Sequence, residues 1–92
     1  MRRILVKSSF EKAYKRLTDS EKDIVDDALY RFERYLLTGG AGLGLGIKHL
    51  ASRTYEFRAG LSLRVVYILE EDSVILALLG RHDEIKRYLK EH

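Results

Sequence analysis

The spacing of hydrophobic positions changes partway along the chain. Up to about residue 38 they recur at helical intervals, and from Ile47 onward they alternate or run on continuously, as strands do. Phe10, Ala13, Tyr14 and Leu17 fall at i, i+3, i+4 and i+7, one face of a helix. Ser8-Ser9-Phe10-Glu11 ahead of them predicts a capped start, with a serine hydroxyl accepting a backbone N–H while a glutamate three residues on reaches back. Thr18-Asp19-Ser20-Glu21 repeats that pattern before a second stripe, Ile24, Val25, Ala28, Leu29, Phe32 and Leu36. The acids Asp19, Glu21 and Asp23 suit the positive end of its dipole, and Gly39 and Gly40 are natural terminators. A first strand, Arg2 to Lys7, precedes this helical hairpin.

Strands are predicted at Ile47 to Leu50, Arg53 to Arg58, Leu61 to Leu69 and Ser73 to Leu79. A turn at Ala59-Gly60 and the acidic link Glu70-Glu71-Asp72 are so short that neighbouring strands must be antiparallel. Residues 83 to 91 make a last short helix, with Lys86, Arg87 and Lys90 toward its C-terminal end. One strand alone leaves its backbone unsatisfied, so the first must join the later sheet. The expected architecture is α+β in two layers: a mostly antiparallel sheet covered on one face by the N-terminal helical hairpin, in the order β-α-α-β-β-β-β-α, as one domain over residues 1–92.

Composition narrows the class. Hydrophobic residues at 46% and charged residues at 34% describe an ordinary globular protein, and no apolar run approaches the roughly 20 residues that cross a bilayer. Lys7 cuts the first apolar stretch far below the length of a signal-peptide core, and there is no cysteine, so the expected location is the cytoplasm. The net charge of +3 is unevenly spread. Residues 1–16 carry six Lys or Arg against one acid and residues 38–69 four against one, while 17–37 hold three against six and 70–92 four against six. That asymmetry suits an anionic partner such as nucleic acid, and a mixed solvated surface accounts for it equally well. Five of the seven glycines lie between Gly39 and Gly46, but they follow a helix and fit neither the dinucleotide nor the P-loop spacing, which makes them a flexible connection.

Alternation in Arg53-Thr54-Tyr55-Glu56-Phe57-Arg58 puts Tyr55 and Phe57 on one face and Glu56 and Arg58 on the other. If the aromatics meet the helices, Arg58 points to the uncovered face. Arg64 interrupts an apolar strand and needs either a salt bridge, for instance with Glu56, or an exposed role on phosphate. His82 follows Gly80-Arg81 at a strand end, and histidine exchanges protons near neutral pH. A lone histidine is more often surface or packing. Arg81 beside it, and Lys48 with His49 on an earlier strand, add the fixed cations that phosphodiester cleavage requires. His49, His82 and the terminal His92, without cysteine or an HxxxH spacing, make a poor metal site, and no nucleophile elbow is present. Tyr88 either docks the last helix with Ile85 and Leu89 or joins the chemistry; Tyr14, Tyr30 and Tyr35 fall on helical faces as packing residues.

The segments His49-Leu50, Tyr55-Glu56-Phe57-Arg58-Ala59-Gly60, Leu63-Arg64-Val65-Val66-Tyr67-Ile68 and Leu79-Gly80-Arg81-His82-Asp83-Glu84-Ile85, in that order, resemble the RelE/ParE superfamily of toxins from type II toxin–antitoxin pairs. The resemblance implies a RelE-like fold and an endoribonuclease that cuts messenger RNA in the ribosomal A site and is neutralised by a cognate antitoxin. It implies no metal or cofactor: the RNA 2′-hydroxyl attacks the adjacent phosphate, leaving a cyclic phosphate and a free 5′-hydroxyl. In the YafQ-like branch the histidine of a terminal G-x-H motif carries a proton, which falls on His82. Arg64 is similar to the strand arginine that stabilises the pentacovalent phosphate, and Tyr88 to a C-terminal catalytic tyrosine. His49 is a second candidate proton carrier, and Lys48, Arg53, Arg58 and Arg81 would contact substrate. Glu56 and Arg58 stand where RelE itself presents lysines. ParE-like members of the superfamily poison DNA gyrase without the catalytic set, so an inhibitor or a silent binding module is the competing expectation. A stand-alone RNA-binding domain would need aromatics exposed on its sheet.

Overall fold

The computed structural model describes residues 3–39 and 44–91. Arg2 of the expected first strand, residues 40–43 of the glycine segment and His92 lie outside the described residues. The elements are β1 (Arg3–Val6), α1 (Ser8–Lys15), α2 (Asp19–Thr38), β2 (Lys48–Ala51), β3 (Thr54–Ala59), β4 (Leu63–Leu69), β5 (Ser73–Arg81) and α3 (His82–Glu91). The strands form one sheet in the order β1-β5-β4-β3-β2. β1 pairs with β5 in parallel and the other three pairings are antiparallel, so the α+β architecture is the expected one.

The second helix begins as its sequence predicts. Thr18 Oγ1 accepts from the Glu21 N–H at 3.2 Å, and Glu21 Oε1 accepts from the Thr18 N–H at 2.9 Å. It ends at Gly39, whose φ of +64° is left-handed and whose N–H reaches the Tyr35 carbonyl. The first helix differs: its cap position is Lys7, with no side-chain cap bond. Ser9 instead donates its hydroxyl to the Ala77 carbonyl at 2.6 Å. Ala77 is the extra residue of a bulge in β5, between the Val66–Leu78 and Tyr67–Leu76 pairs. That bond ties the first turn of α1 to the sheet.

Phe10 of α1 and Val25, Ala28 and Phe32 of α2 close over Phe57, Ala59, Val65, Tyr67, Val74, Leu76 and Leu79 of the sheet. The Phe32 ring sits 4.5 Å from that of Phe57 and 4.6 Å from that of Tyr67, contacts that add about 0.5–1.5 kcal/mol each beyond area burial. Tyr14 donates to Asp26 at 2.7 Å across the hairpin and Tyr35 stacks on Phe32, but Tyr30 is 62% exposed. Two residues before Phe32, it is turned about 200° away from the buried stripe, so the packing role expected of it is corrected.

Two strand boundaries shift in ways that matter for function. Ala59 remains in β3 and is buried, so the turn falls on residues 60–62, with Leu61 fully exposed. β5 continues past Leu79 through Gly80 to Arg81, and α3 starts at His82 with no intervening loop. α3 lies on the face opposite the hairpin. Gly80 is in register with Arg64, and a Cβ built on it would sit 3.4 Å from Glu84 Cβ. Val66, Ala77 and Ile85 are buried, yet outside the hairpin-side cluster, which is what a second, smaller contact layer under α3 produces.

Candidate active site

Alternation carries Glu56 and Arg58 of β3, and Arg64 and Val66 of β4, to the face away from the hairpin. Arg58 pairs directly with Arg64, Glu56 with Val66, and Lys48 of β2 with Glu56. Like charges directly opposite repel, and the two guanidiniums part. That of Arg58 lies over Gly46, where a Cβ would come within 2.6 Å of Nε. The Arg58 N–H also holds the preceding loop through the Leu45 carbonyl at 2.6 Å. Arg64 turns toward Glu56, with Nε 3.7 Å from Oε2 and the two side chains 20% and 10% exposed. Both roles expected of Arg64 are therefore open to it, since it has a carboxylate partner and keeps part of its surface accessible.

Glu56 is the residue whose position sequence reasoning underrated. Its Oε2 is sealed from solvent and makes no hydrogen bond among the described residues, and 3.7 Å to Arg64 is too long for one. A buried carboxylate left with an ion pair alone is under-compensated. The signal available in the sequence was an acid at an inward-strand position on the same face as two arginines.

His82 is the first residue of α3 and is exposed. Glu84 Oε1 accepts from the Arg81 N–H at 2.9 Å, which closes the first turn of the helix as the second half of a capping box would. Tyr88, 41% exposed, follows the buried Ile85 by three residues and so shares its side of α3. The sheet face carries Lys48, Glu56, Arg58 and Arg64 on β2 to β4, and His82 stands beyond the end of β5 at the start of α3, with Tyr88 further along the helix.

Three of the expected site residues point elsewhere. Arg81 is in register with the core residue Leu63, so its side chain passes to the hairpin side, where Nη2 meets Glu21 Oε2 at 3.2 Å. The Thr18 backbone N–H, the Thr18 side chain and, more weakly, Arg81 hold the Glu21 carboxyl below the usual carboxylate range. Arg53, at the β2–β3 turn, pairs with Glu70 at 3.2 Å. His49 lies on edge strand β2 with its ring 4.9 Å from that of Tyr55, and its Nε2 is 2.7 Å from the Ser52 carbonyl. Three strand spacings, roughly 14 Å, separate β2 from β5 before any offset along the strands, so His49 and His82 do not meet.

Among the described residues no group of three or more His, Cys, Asp or Glu could hold a metal ion, and no helix is long and apolar enough to cross a membrane. On the hairpin side an apolar groove runs between β1, α1 and α2, lined by Val6, Phe10, Tyr14 and Leu29.

No protein-family profile matches the sequence, and no curated protein matches it. Solved structures do. The RelE of a RelB-RelE antitoxin–toxin complex from Methanococcus jannaschii shares 19% identity at a TM-score of 0.69, over 91% of this chain and 96% of that one. The YoeB dimer from Staphylococcus aureus superposes at 0.69 with 18% identity, over 88% and 97%. The E. coli DinJ-YafQ complex gives 0.66 with 17% identity, over 92% and 98%. The fold of this protein is the RelE-like toxin fold.

Proposed function

We propose that this protein is the toxin of a type II toxin–antitoxin pair and acts as a metal-independent endoribonuclease that cuts messenger RNA on the ribosome. The shared fold supports the toxin reading, and the neighbours solved as RelB-RelE and DinJ-YafQ complexes support a cognate antitoxin as partner. The cytoplasm is the matching compartment.

The observation that carries the ribonuclease reading is the partly exposed Arg64 on the sheet face that also bears Arg58 and Lys48, with His82 at the start of α3. Lys48 and Arg58 contact the RNA backbone as point charges, which orients the chain without reading its sequence. Arg64, partly withdrawn from water, places a fixed guanidinium where negative charge grows as the 2′-oxygen attacks phosphorus. His82 carries a proton to or from the reacting oxygens. Tyr88 lies beyond them on α3 and lends a phenol to the chemistry.

The test is primer extension on a reporter messenger in translating cells after brief induction, comparing the wild type with His82→Ala. New 5′ ends at in-frame codons with the wild type alone are expected. Growth arrest without new ends would move the assignment to a gyrase-directed inhibitor. Neither effect would leave a binding module.

A further inference from the structure

The proton-carrying role falls on His82, yet among the described residues nothing bonds to its imidazole, so the side chain stands only as firmly as the backbone that bears it. That backbone is the junction where β5 passes into α3 without a loop, and the residue before His82 is Arg81. We propose that Arg81 is a positioning residue for His82: held at its backbone and at its guanidinium by glutamates of two different helices, it fixes the start of α3 and acts on the reaction through the histidine, not by touching phosphate. This rests on the ribonuclease reading above.

The junction lacks the usual means of starting a helix. Asp, Asn, Ser or Thr ahead of the first turn would accept from a free backbone N–H, but an arginine side chain has donors only. What remains of a capping box is the bond from its far side, in which Glu84 Oε1 accepts from the Arg81 N–H at 2.9 Å. Gly80 gives that glutamate room, since a Cβ there would sit 3.4 Å from Glu84 Cβ and 3.5 Å from its Oε1. With no capping task, the Arg81 guanidinium crosses to the hairpin side, where Nη2 meets Glu21 Oε2 at 3.2 Å. Glu21 is itself held, because its other oxygen, Oε1, accepts from the Thr18 N–H at 2.9 Å at the start of α2. The anchor of His82 therefore runs through one residue from α3 to α2, on opposite faces of the sheet.

Geometry separates this role from the direct one. Arg81 is in register with the core residue Leu63, whereas Arg64 faces the other side of the sheet. A guanidinium engaged with Glu21 holds its charge away from a phosphate at Arg64. The ion pair is exposed, 61% on the arginine and 24% on the glutamate, so its contribution to stability is small. It can still restrict direction: without it the β5–α3 junction relaxes, and the first turn of α3 moves with His82 at its first position. A displacement of about 1 Å in a reacting group costs on the order of 10²-fold in rate.

Purified protein and messenger-programmed ribosomes tell the two roles apart. Arg81→Met, which keeps the aliphatic stem and removes the charge, is expected to lower kcat about 10–10²-fold, while KM and the affinity for 2′-deoxy messenger change less than about threefold. Arg81→Lys, whose ammonium still reaches Glu21, should keep most of the rate. Glu21→Gln should lose kcat to a similar degree, and combining it with Arg81→Met should cost no more than either alone, since both break one contact. Proton–carbon NMR of the imidazole gives a readout without substrate: the His82 ring signals should shift or broaden in Arg81→Met and return in Arg81→Lys, with melting curves showing each variant folded at the assay temperature. A wild-type kcat in Arg81→Met, or His82 signals that do not change, would overturn the proposal. So would weakened 2′-deoxy binding with a salt slope lower by about 1, the mark of a lost phosphate contact. Additive losses in the double variant would put Arg81 and Glu21 in separate roles and overturn it too. Wild-type protein that leaves ribosome-bound messenger intact, with His82 signals still moved by Arg81→Met, would overturn the ribonuclease reading and with it the catalytic meaning of the anchor.

Discussion

Arg81 at the end of β5 and Glu21 in the first turn of α2, 60 residues apart, meet at 3.2 Å and join the sheet to the start of the helical hairpin. Glu21 is at the same time the acid of the Thr18 capping box, so one carboxylate serves both a local and a tertiary contact. Its folded-state pKa is depressed, chiefly by the Thr18 backbone N–H. A depressed carboxyl contributes stability above its unfolded value, about 4.3, and that contribution is lost as pH falls through the folded value. Urea unfolding at a series of acidic pH values should show the wild type losing stability in that window. Glu21→Gln should be less stable above it and flatter through it. A parallel pH dependence in the two proteins would contradict the coupling.

Gly60 opens the β3–β4 turn with φ of +66°, and a Cβ there would come 2.8 Å from Ile24 Cγ2 on α2. Left-handed backbone alone costs an L-residue roughly 1–2 kcal/mol, and the contact adds to it. Gly60→Ala is expected to lower Tm by about 4–8 °C or more in calorimetry, as a loss of 1 kcal/mol does in a domain this size. The double variant Gly60→Ala with Ile24→Ala should regain the steric part only.

Tyr67 is 3% exposed beneath α2, and burial, with Tyr35 and Tyr55 nearby, pushes its phenol up to about 12. A raised phenol stabilises the fold fully below its unfolded value of about 10, and that contribution fades as pH rises toward 12. Ultraviolet titration should find one tyrosine ionising last, at or together with unfolding. Tyr67→Phe should remove that late step and keep the ring packed against Phe32 and stacked on Tyr55.

What was legible in the sequence was what neighbours along the chain decide. The Thr18–Glu21 box closes within four residues, and the alternation through Tyr55, Glu56, Phe57 and Arg58 sorted β3 into a core side and an open side. Ser9 was not legible, because its acceptor, the Ala77 carbonyl, is 68 residues away. The candidate site divides in the same way. Arg58 follows from strand alternation, but the expected contribution of Arg81 depends on one unit of register. Pairing with Leu63 turns it to the hairpin side. That His49 and Arg53 fall away from His82 follows from the order β1-β5-β4-β3-β2, which no local pattern encodes.

That strand order makes a prediction about which cations matter. Arg53 is engaged with Glu70 at the β2–β3 turn, and His49 with the Ser52 carbonyl at the sheet edge, both away from Arg64 on β4. Arg53→Ala breaks an exposed pair of the kind worth about 0–1 kcal/mol and removes no group from the reacting phosphate. His49→Ala likewise leaves His82, the proposed proton carrier, untouched. Both variants should cut ribosome-bound messenger within about threefold of the wild type. Arg64→Ala, by contrast, removes a fixed charge at the point where the transition state gathers its own, a loss of about 10²–10³ in kcat by analogy with deleting a single oxyanion donor. It also leaves Glu56 buried without its ion pair, so thermal melting must accompany the assay. Single-turnover cleavage by the three variants, each shown to be folded, separates the sites: a loss for His49→Ala equal to that for Arg64→Ala would move the chemistry to the β2 edge.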